Sequence, residues 1–133
     1  MKHIAIFGSS GSLGTAVSPV LQKLGYKIFK VDQHGNVDEK IDATLESRVI
    51  SLFDKLVIEK VILDGLLNLV GRIHNRAFFN VMAKSKYLHG DEWAEQFKVN
   101  LDSAFYIAKH YHRYCLKLKI KCNLINVSSI AAQ

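Results

Sequence analysis

The opening stretch, KHIAIFGSSGSLG from Lys2 to Gly14, restricts the fold more than any other part of the sequence. His3 to Phe7 are mostly apolar, as in a buried strand, and glycines follow at Gly8, Gly11 and Gly14. A sharp turn from a strand into a helix needs a residue without a Cβ atom, and so does a close approach of backbone to phosphate. The stretch therefore predicts a strand, a tight turn and a helix whose N-terminus favours an anion.

The residues after this turn carry the apolar pattern of a helix. Apolar side chains recur at spacings of three and four, at Leu13, Ala16, Val17, Val20, Leu21 and Leu24. Gly25 suits the position that ends a helix. Pro19 lies inside the pattern, and because proline lacks a backbone N–H we expect a kink there.

A second apolar run, Lys27 to Val31, ends at Asp32. A carboxylate at this distance from the glycines suits hydrogen bonds to the ribose of an adenine dinucleotide. A strand, a glycine turn, a helix, a strand and an acid in this order predict a dinucleotide site. The alternative is an ordinary strand-to-helix turn, with Asp32 capping a turn in the sequence DQHGN.

Strand and helix patterns continue to alternate downstream. A very short strand ends near Ile41 and Asp42, a buried strand runs from Gly65 to Val70, and a last strand runs from Lys121 to Val127. A helix between the first two is predicted from Leu45, Val49, Leu52, Phe53 and Leu56. Residues 72–90 have no clean period and are expected to be irregular, with room for one short helix. The whole pattern predicts one α/β domain, residues 1–133, with a Rossmann-like, doubly wound parallel sheet.

The longest helical pattern begins at Asp91. Its apolar members alternate spacings of four and three, at Trp93, Phe97, Leu101, Ala104, Ala108, Tyr111, Cys115 and Leu118. This regularity predicts one helix, from Asp91 to Leu118, that is deeply packed or faces a partner.

Composition argues against several classes of protein. Apolar residues make up 49% of the chain, which argues against disorder, and no stretch resembles a membrane span or a secretion signal, so we expect a cytoplasmic protein without membrane contact. Cys115 and Cys122 form no ligand motif, so we expect buried thiols and no metal site. The net charge of +6 comes from the second half, where aromatic residues do not interleave with the lysines. We therefore expect a solvated basic face and no nucleic-acid partner.

Four motifs together resemble the short-chain dehydrogenase/reductase family, over the length of the chain from Lys2 onward. GSSGSLG keeps the first and last glycine of the family's turn TGxxxGxG, with Ser12 in place of the middle one, and its spacing GxxGxxG resembles that of the family's extended members. DGLLNLVG, residues 64–71, resembles DxLVNNAG, with Leu69 and Val70 in place of the second Asn and the Ala. EWAEQFKVNL, residues 92–101, is similar to the segment with the family's helical asparagine, and NLINVSSIA, residues 123–131, to the strand that ends in its catalytic serine. The short connection from Asp32 to Asp42 resembles dihydropteridine reductase-like members.

The resemblance implies an NAD(P)-dependent oxidoreductase that transfers hydride between nicotinamide and a carbonyl or alcohol carbon of a small-molecule substrate. The residues that would hold the dinucleotide are Gly8, Ser9, Ser10, Gly11, Ser12, Leu13, Gly14, Asp32, Asp42, Ala43, Asn68 and Gly71. Asp32 would bind the adenosine ribose and favour NAD over NADP, because a carboxylate repels the 2′-phosphate.

The resemblance also implies roles for single residues. Asp42 and Ala43 would flank the adenine, although helix N-capping by Asp42 or Thr44 is an equally good role. Asn68 would contact the cofactor ribose. In the catalytic site, Asn100 would bend its helix and position a water for proton relay. Ser129 would bond the substrate carbonyl, with Ser128 as the alternative if the register shifts by one.

The family's Tyr-x-x-x-Lys pair does not follow Ser129, after which the sequence has only residues 130–133. Tyr26 to Lys30 matches the spacing but lies on a predicted strand. We therefore expect the N-terminal part of a longer enzyme, inactive alone, whose sheet is incomplete at the C-terminal side. Its last strand would be an unpaired edge, and one sheet face would be covered mainly by the first helix. The alternative is a nucleotide-sensing pseudoenzyme or regulatory module. The resemblance further implies a homo-oligomer through the helix from Asp91 to Leu118.

Overall fold

The computed structural model describes residues 1–73 and 90–129. Within these ranges five strands form one sheet in the order β3-β2-β1-β4-β5, and all neighbouring strands are parallel. In chain order the elements are β1 (His3–Phe7), α1 (Ser12–Lys23), β2 (Lys27–Asp32), β3 (Glu39–Lys40), α2 (Glu46–Ile58), β4 (Gly65–Asn68), α3 (Gly90–Phe97), a π-helical segment (Lys98–Asp102), α4 (Ser103–Leu118) and β5 (Leu124–Asn126). The predicted Rossmann-like α/β sheet is confirmed.

The main core lies between the sheet and the helix pair α2 and α4. The rings of Phe7 and Phe53 stack with their centroids 6.0 Å apart, and the Tyr114 ring lies 5.6 Å from that of Phe53. The Tyr114 hydroxyl donates to the Val61 carbonyl oxygen at 2.7 Å and accepts from the Leu63 N–H at 2.8 Å. Because buried polar groups need partners, these bonds fix the connection from α2 to β4 against the core.

The helix α1 covers the other face of the sheet, but not with its predicted apolar stripe. Gly14 and Ser18 are the buried residues of α1, whereas Leu13, Val20 and Leu24 are exposed. Small side chains let the helix approach the strands closely, so the larger apolar ones lie on its flank. The apolar spacing predicted the helix correctly, but its largest apolar members are not the residues that α1 buries.

An apolar groove of about 660 Å³ remains beside α1. We call it the α1 groove; its lining includes Ile4, Leu21, Leu67 and Ile125. It confirms, for the described residues, that one sheet face is covered mainly by the first helix. In the same part of the chain β5 pairs with β4 alone, so it forms an edge of the sheet, as expected.

Gly25 ends α1, as predicted. Its φ of +86° lies in the left-handed region, its N–H donates to the Gln22 carbonyl oxygen at 3.0 Å, and the Tyr26 N–H donates to that of Leu21 at 3.1 Å. This is the Schellman arrangement of a helix C-terminus. Pro19 lies within α1, which continues to Lys23, and the kink there stays a prediction.

The predicted helix from Asp91 to Leu118 is interrupted. The segment Lys98–Asp102 is π-helical, and a π turn holds an additional residue, which rotates the following residues about the helix axis. The predicted stripe is therefore not one face: Trp93, Phe97 and Leu101 are exposed, whereas Tyr111 and Cys115 are buried.

Several local expectations differ from the structure. β3 is Glu39–Lys40 and ends before Ile41, and β5 begins at Leu124, later than predicted. Cys115 is buried as expected, but Cys122 is exposed because it lies in the connection before β5. Most of the region 72–90, which we expected to be irregular, lies outside the described residues. In the described parts of the chain no helix is long and apolar enough to cross a membrane, and no three potential metal ligands cluster.

Candidate functional site

The turn from Gly8 to Gly14, called the glycine turn below, owes its shape to two of its three glycines. Gly8 has a φ of +79°, and a Cβ atom there would lie 2.9 Å from the carbonyl carbon of Leu69. A Cβ atom on Gly14 would lie 2.3 Å from the Gly8 carbonyl oxygen. Gly11 is different, because it is exposed, has a φ of −73° and precedes the first residue of α1. Gly8 and Gly14 are needed for packing, whereas Gly11 leaves bare backbone at the helix N-terminus.

The serines of the glycine turn bind the neighbouring strand β2 and the loop after it. Ser9 is buried, and its hydroxyl donates to the Val31 carbonyl oxygen at 3.3 Å. The Ser10 N–H donates to Asp32 Oδ2 at 2.9 Å, and the Ser10 hydroxyl donates to the His34 carbonyl oxygen at 2.8 Å. The His34 N–H in turn donates to Asp32 Oδ1 at 3.1 Å. The Asp32 carboxylate thus accepts one backbone N–H from the glycine turn and one from the loop after β2. The second bond is the turn capping that the sequence offered as the alternative role of Asp32.

The residues after β3 form a second carboxylate turn. The backbone N–H and the hydroxyl of Thr44 donate to Asp42 Oδ1 at 2.9 and 2.7 Å. The N-cap residue of α2 is Leu45, with no side-chain cap bond, so N-capping by Asp42 or Thr44 is wrong. Ala43 is buried between them.

These segments enclose a cleft of about 510 Å³ at the carboxyl ends of the strands, called the strand-end cleft below. The predicted cofactor residues that line it are Gly8, Ser10, Gly11, Asp32, Asp42, Ala43 and Gly71. Its volume falls within the roughly 300–1,000 Å³ typical of small-molecule and cofactor sites. Ligands of open α/β sheets bind in such a crevice outside the carboxyl ends of the strands.

Charge is distributed unevenly along the strand-end cleft. Asp32 and Asp42 lie on the side of β2 and β3, whereas Lys98 and the ion pair of Arg72 with Glu95 lie beyond β4. Between them the N-terminus of α1 adds its partial positive charge at the glycine turn. An elongated ligand with hydroxyl groups at one end and an anionic centre fits this distribution.

The other predicted residues, Ser9, Ser12, Leu13, Gly14, Asn68, Asn100 and Ser129, do not belong to the lining of the strand-end cleft in the described parts of the chain. Asn68 is buried, and its Nδ2 donates to Asn126 Oδ1 at 3.0 Å while its Oδ1 accepts from the Val70 N–H at 3.1 Å. It therefore ties β4 to β5, and its contact with a cofactor ribose stays a prediction. Ser129 is exposed three residues beyond β5, and its substrate contact likewise stays a prediction.

Asn100 lies in the π-helical segment and holds the loop that follows β4. Its Oδ1 accepts from the Arg72 N–H at 2.8 Å, and its Nδ2 donates to the Arg72 carbonyl oxygen at 2.8 Å. A Cβ atom on Gly71 would lie 3.3 Å from Asn100 Oδ1, so this loop packs closely on the side chain. Asn100 thus shapes the wall of the strand-end cleft without lining it.

Sequence reasoning missed several residues of the cleft wall, among them His34, Thr44, Arg72, Glu95 and Lys98. Arg72 Nη1 and Glu95 Oε1 form an ion pair at 2.7 Å. Arg72 directly follows Gly71, and that position after a strand was the available signal. Glu95 and Lys98 come from α3 and the π-helical segment, for which no local pattern indicated a place at the sheet edge.

Comparison with known proteins identifies the fold that carries the strand-end cleft. No protein-family model matches the chain, and no curated protein has significant sequence similarity to it. A short-chain dehydrogenase from Leptospira borgpetersenii with bound NAD+ has a TM-score of 0.78 at 23% sequence identity, covering 97% of this chain and 52% of that one. The chain has the short-chain dehydrogenase/reductase fold.

Two further structures match nearly the whole of this chain. 4-Hydroxyisoleucine dehydrogenase complexed with NADH and succinate matches with a TM-score of 0.76 at 25% identity, over 96% of this chain and 58% of that one. A variant of ElxO with NADPH bound matches with a TM-score of 0.74 at 18% identity, over 97% and 56%. The present chain therefore spans about half the length of these three matched structures.

Proposed function

We propose that the strand-end cleft binds a nicotinamide dinucleotide and that the protein is an oxidoreductase of the short-chain dehydrogenase type. One observation carries the proposal: Gly8, Gly11, Asp32 and Ala43 come from three different strand ends and line the same cleft. The matched structures support the cofactor class, because they hold NAD+, NADH or NADPH. The proposal extends that cofactor class to this chain.

Different residues of the strand-end cleft bind different parts of the dinucleotide. Asp42 and Ala43 flank the adenine, and Asp32 accepts hydrogen bonds from the adenosine ribose. The N–H groups of the first turn of α1, which begins at Ser12, bind the pyrophosphate beside Gly11, because the N–H groups from Gly8 to Gly11 already donate within the protein. The nicotinamide end lies toward Gly71, where the bound cofactor supplies a hydride acceptor or donor.

We further propose that the site prefers NAD to NADP. Asp32 presents a carboxylate whose orientation is set by the N–H groups of Ser10 and His34. Each of these hydrogen bonds occupies one lone pair of a carboxylate oxygen. The second lone pair of each oxygen can accept a hydrogen bond from a ribose hydroxyl. A 2′-phosphate at the same place meets a like charge.

For the reaction itself we propose a small-molecule carbonyl or alcohol substrate. Ser129 bonds the substrate oxygen, and Asn100 maintains the cleft wall and a proton-relay water. The sequence from Met1 to Gln133 has no Tyr-x-x-x-Lys pair after Ser129. We therefore propose that these 133 residues bind cofactor without turning over substrate.

We also propose a second copy of the chain as the partner of the exposed stripe, defined as Trp93, Phe97, Leu101 and Phe105. These residues recur every fourth position and are all exposed. The Trp93 and Phe97 rings already contact each other edge to face, with centroids 5.1 Å apart. A contiguous exposed apolar surface of this kind is stabilised when another apolar surface covers it.

Calorimetric titration with NAD and NADP tests the cofactor proposal. We expect the wild-type chain to bind NAD more tightly than NADP, and Asp32→Asn to narrow that difference because it removes the charge that repels the 2′-phosphate. Asp64→Asn is the matched control, since Asp64 is half-buried like Asp32, accepts from the His3 N–H at 2.8 Å and does not line the strand-end cleft. A folded wild-type chain that binds neither cofactor contradicts the proposal.

A turnover assay tests the proposed division between binding and catalysis. NADH oxidation by the 133-residue chain with a panel of carbonyl compounds should remain at the background rate. Turnover above background would contradict the proposed inactivity while leaving the cofactor proposal standing.

A further inference from the structure

We propose that Ser10 is a positioning residue that fastens the loop after β2 to the glycine turn, so that Asp32 faces the cofactor in one orientation. The loop concerned, residues 33–38, is called the β2–β3 loop. This inference rests on the proposed function, because it concerns how the strand-end cleft is shaped for the adenosine half of a dinucleotide. It assigns the Ser10 hydroxyl to a protein contact and not to the cofactor.

Three hydrogen bonds connect the two segments into one closed arrangement. Ser10 donates twice, with its N–H to Asp32 Oδ2 at 2.9 Å and with its hydroxyl to the His34 carbonyl oxygen at 2.8 Å. The His34 N–H returns to Asp32 Oδ1 at 3.1 Å. The Asp32 carboxylate is therefore held between an amide of the glycine turn and an amide of the β2–β3 loop.

The hydrogen bond from the Ser10 hydroxyl to the His34 carbonyl oxygen keeps the two N–H groups that bind Asp32, those of Ser10 and His34, at a constant separation. Without it, the His34 carbonyl loses its partner in the glycine turn, and the β2–β3 loop is held there by the carboxylate alone. The loop and the carboxylate that it bonds can then move together, so Asp32 has more than one orientation toward a ligand. The hydroxyl bond leaves Asp32 oriented for the ribose before the cofactor arrives, which lowers the ordering cost of binding.

Gly35 shows how closely the two segments approach. Its φ is +83°, and a Cβ atom there would lie 2.4 Å from Ser10 Oγ and 3.1 Å from Ser10 Cβ. Any side chain at position 35 would displace the Ser10 hydroxyl from His34. Position 35 therefore needs glycine for two reasons: its φ is positive, and the Ser10 side chain occupies the space that a Cβ atom would need.

The chain supplies a matched control for each change. Gly25 has a φ of +86°, but a Cβ atom there meets nothing within 4 Å, so Gly25→Ala carries the backbone strain without a contact. Ser51 lies exposed on α2, and its hydroxyl donates to the Ser47 carbonyl oxygen at 2.9 Å. Ser51→Ala therefore removes the same kind of bond far from the strand-end cleft.

Calorimetric titration of the 133-residue chain with NAD and with NADP tests the inference. We expect Ser10→Ala to raise the Kd for NAD about fivefold, because the loop ordering that one neutral hydrogen bond maintains in the free chain must then accompany binding; Ser51→Ala should leave the Kd unchanged. The ratio of the Kd for NADP to that for NAD should fall in Ser10→Ala, because a loosely held carboxylate discriminates less. A role confined to stability would not move this ratio.

The glycine variants test the close approach of the β2–β3 loop to Ser10. Gly35→Ala should weaken NAD binding more than Gly25→Ala, although both carry the same backbone strain. In the double variant Ser10→Ala/Gly35→Ala the combined effect should be smaller than the sum of the two single effects, because no hydroxyl remains at position 10 to be displaced. Ser10→Ala should also shift the backbone amide NMR signals of residues 33–38 in the cofactor-free chain, whereas a Ser10 that touched only the cofactor would leave these signals unchanged.

The outcomes distinguish the two proposals. If the wild-type chain binds NAD, and Ser10→Ala binds NAD and NADP with unchanged Kd values, this inference is overturned and the proposed function stands. If the folded wild-type chain binds neither cofactor, both are overturned. If Gly35→Ala fails to fold, the comparison of Ser10→Ala with Ser51→Ala still decides the matter.

Discussion

Asn100 binds both backbone polar groups of Arg72, accepting from its N–H and donating to its carbonyl oxygen, each at 2.8 Å. The side chain of one residue in the π-helical segment thus fixes the conformation of the loop after β4. That loop forms a wall of the strand-end cleft. The irregular turn of the helix and the shape of the cleft are therefore joined through one side chain.

Asn100→Ala should loosen this wall. Because both bonds to Arg72 and the one to Gln96 are lost and the site is exposed to water, we expect the free energy of unfolding to fall by about 1–2 kcal/mol. The affinity for NAD should fall in the same variant, because Gly71 and Arg72 lose their support. Urea denaturation and calorimetry measure the two effects. Asn36→Ala, at an exposed asparagine of the β2–β3 loop, is the control, and equal stability of the two variants would contradict the role of Asn100.

Gly14 and Gly11 should differ sharply although both belong to the glycine turn. In Gly14→Ala the new methyl group would lie 2.3 Å from the Gly8 carbonyl oxygen, so α1 must shift, and we expect a loss of stability of roughly 3 kcal/mol. In Gly11→Ala the nearest atom is 3.4 Å away, so the fold should remain and NAD binding should weaken. Thermal unfolding with and without NAD measures both, and similar melting temperatures for the two apo variants would contradict this assignment.

The ion pairs between α2 and α4 should make stability depend on acid pH. Hydrogen bonds from His110 and then Lys109 hold the pKa of Glu46 below its ordinary 4.5, and one from Lys117 holds the pKa of Asp54 below its ordinary 3.8. A carboxylate whose pKa is lowered by folding stabilises the protein above its unfolded pKa, and this contribution disappears as the pH falls through the folded pKa. The free energy of unfolding should therefore decline below about pH 5.

Urea denaturation across this pH range measures that decline. In Glu46→Gln the slope of the free energy of unfolding against pH should be smaller, because one of the two carboxylates with a lowered pKa is gone. Glu59→Gln, at an exposed position just after α2, should keep the wild-type slope. A Glu46→Gln variant with the wild-type slope would show that these pairs do not affect folding.

The exposed stripe should control association. Leu101 is 58% exposed, and Leu101→Glu places a charge in the middle of an otherwise apolar row, so a dimer formed there should dissociate. Sedimentation velocity measures the change. Ile58→Glu is the control, since Ile58 is 80% exposed on α2 and lies outside the stripe. A wild-type chain that remains monomeric at high concentration would refute the dimer.

The sequence could predict the strand-end cleft because the relevant signals are local. Gly8 and Asp32 each stand at the end of an apolar run, and parallel strands end at the same edge of a sheet. The chemistry of each residue and its distance along the chain therefore sufficed to bring them together. The same reasoning placed Gly25 at the end of α1.

Other features could not be predicted because they depend on three-dimensional approach. The π turn leaves no mark in KVNLD, a sequence equally suited to an α-helix, yet it rotates Tyr111 and Cys115 onto a different face from Phe97. The contact between Ser10 and the β2–β3 loop joins segments that share no spacing rule. Cys122 is exposed because β5 begins later than its apolar run implies.

Backbone amide NMR of the isotope-labelled chain during a titration with NAD tests the central claim most directly. The account predicts that the largest shift changes occur at Gly8, Gly11, Asp32 and Ala43, the residues of the strand-end cleft, while those of the α1 groove, such as Ile4 and Ile125, change little. Shift changes confined to the α1 groove, or none at saturating NAD in a folded sample, would contradict it.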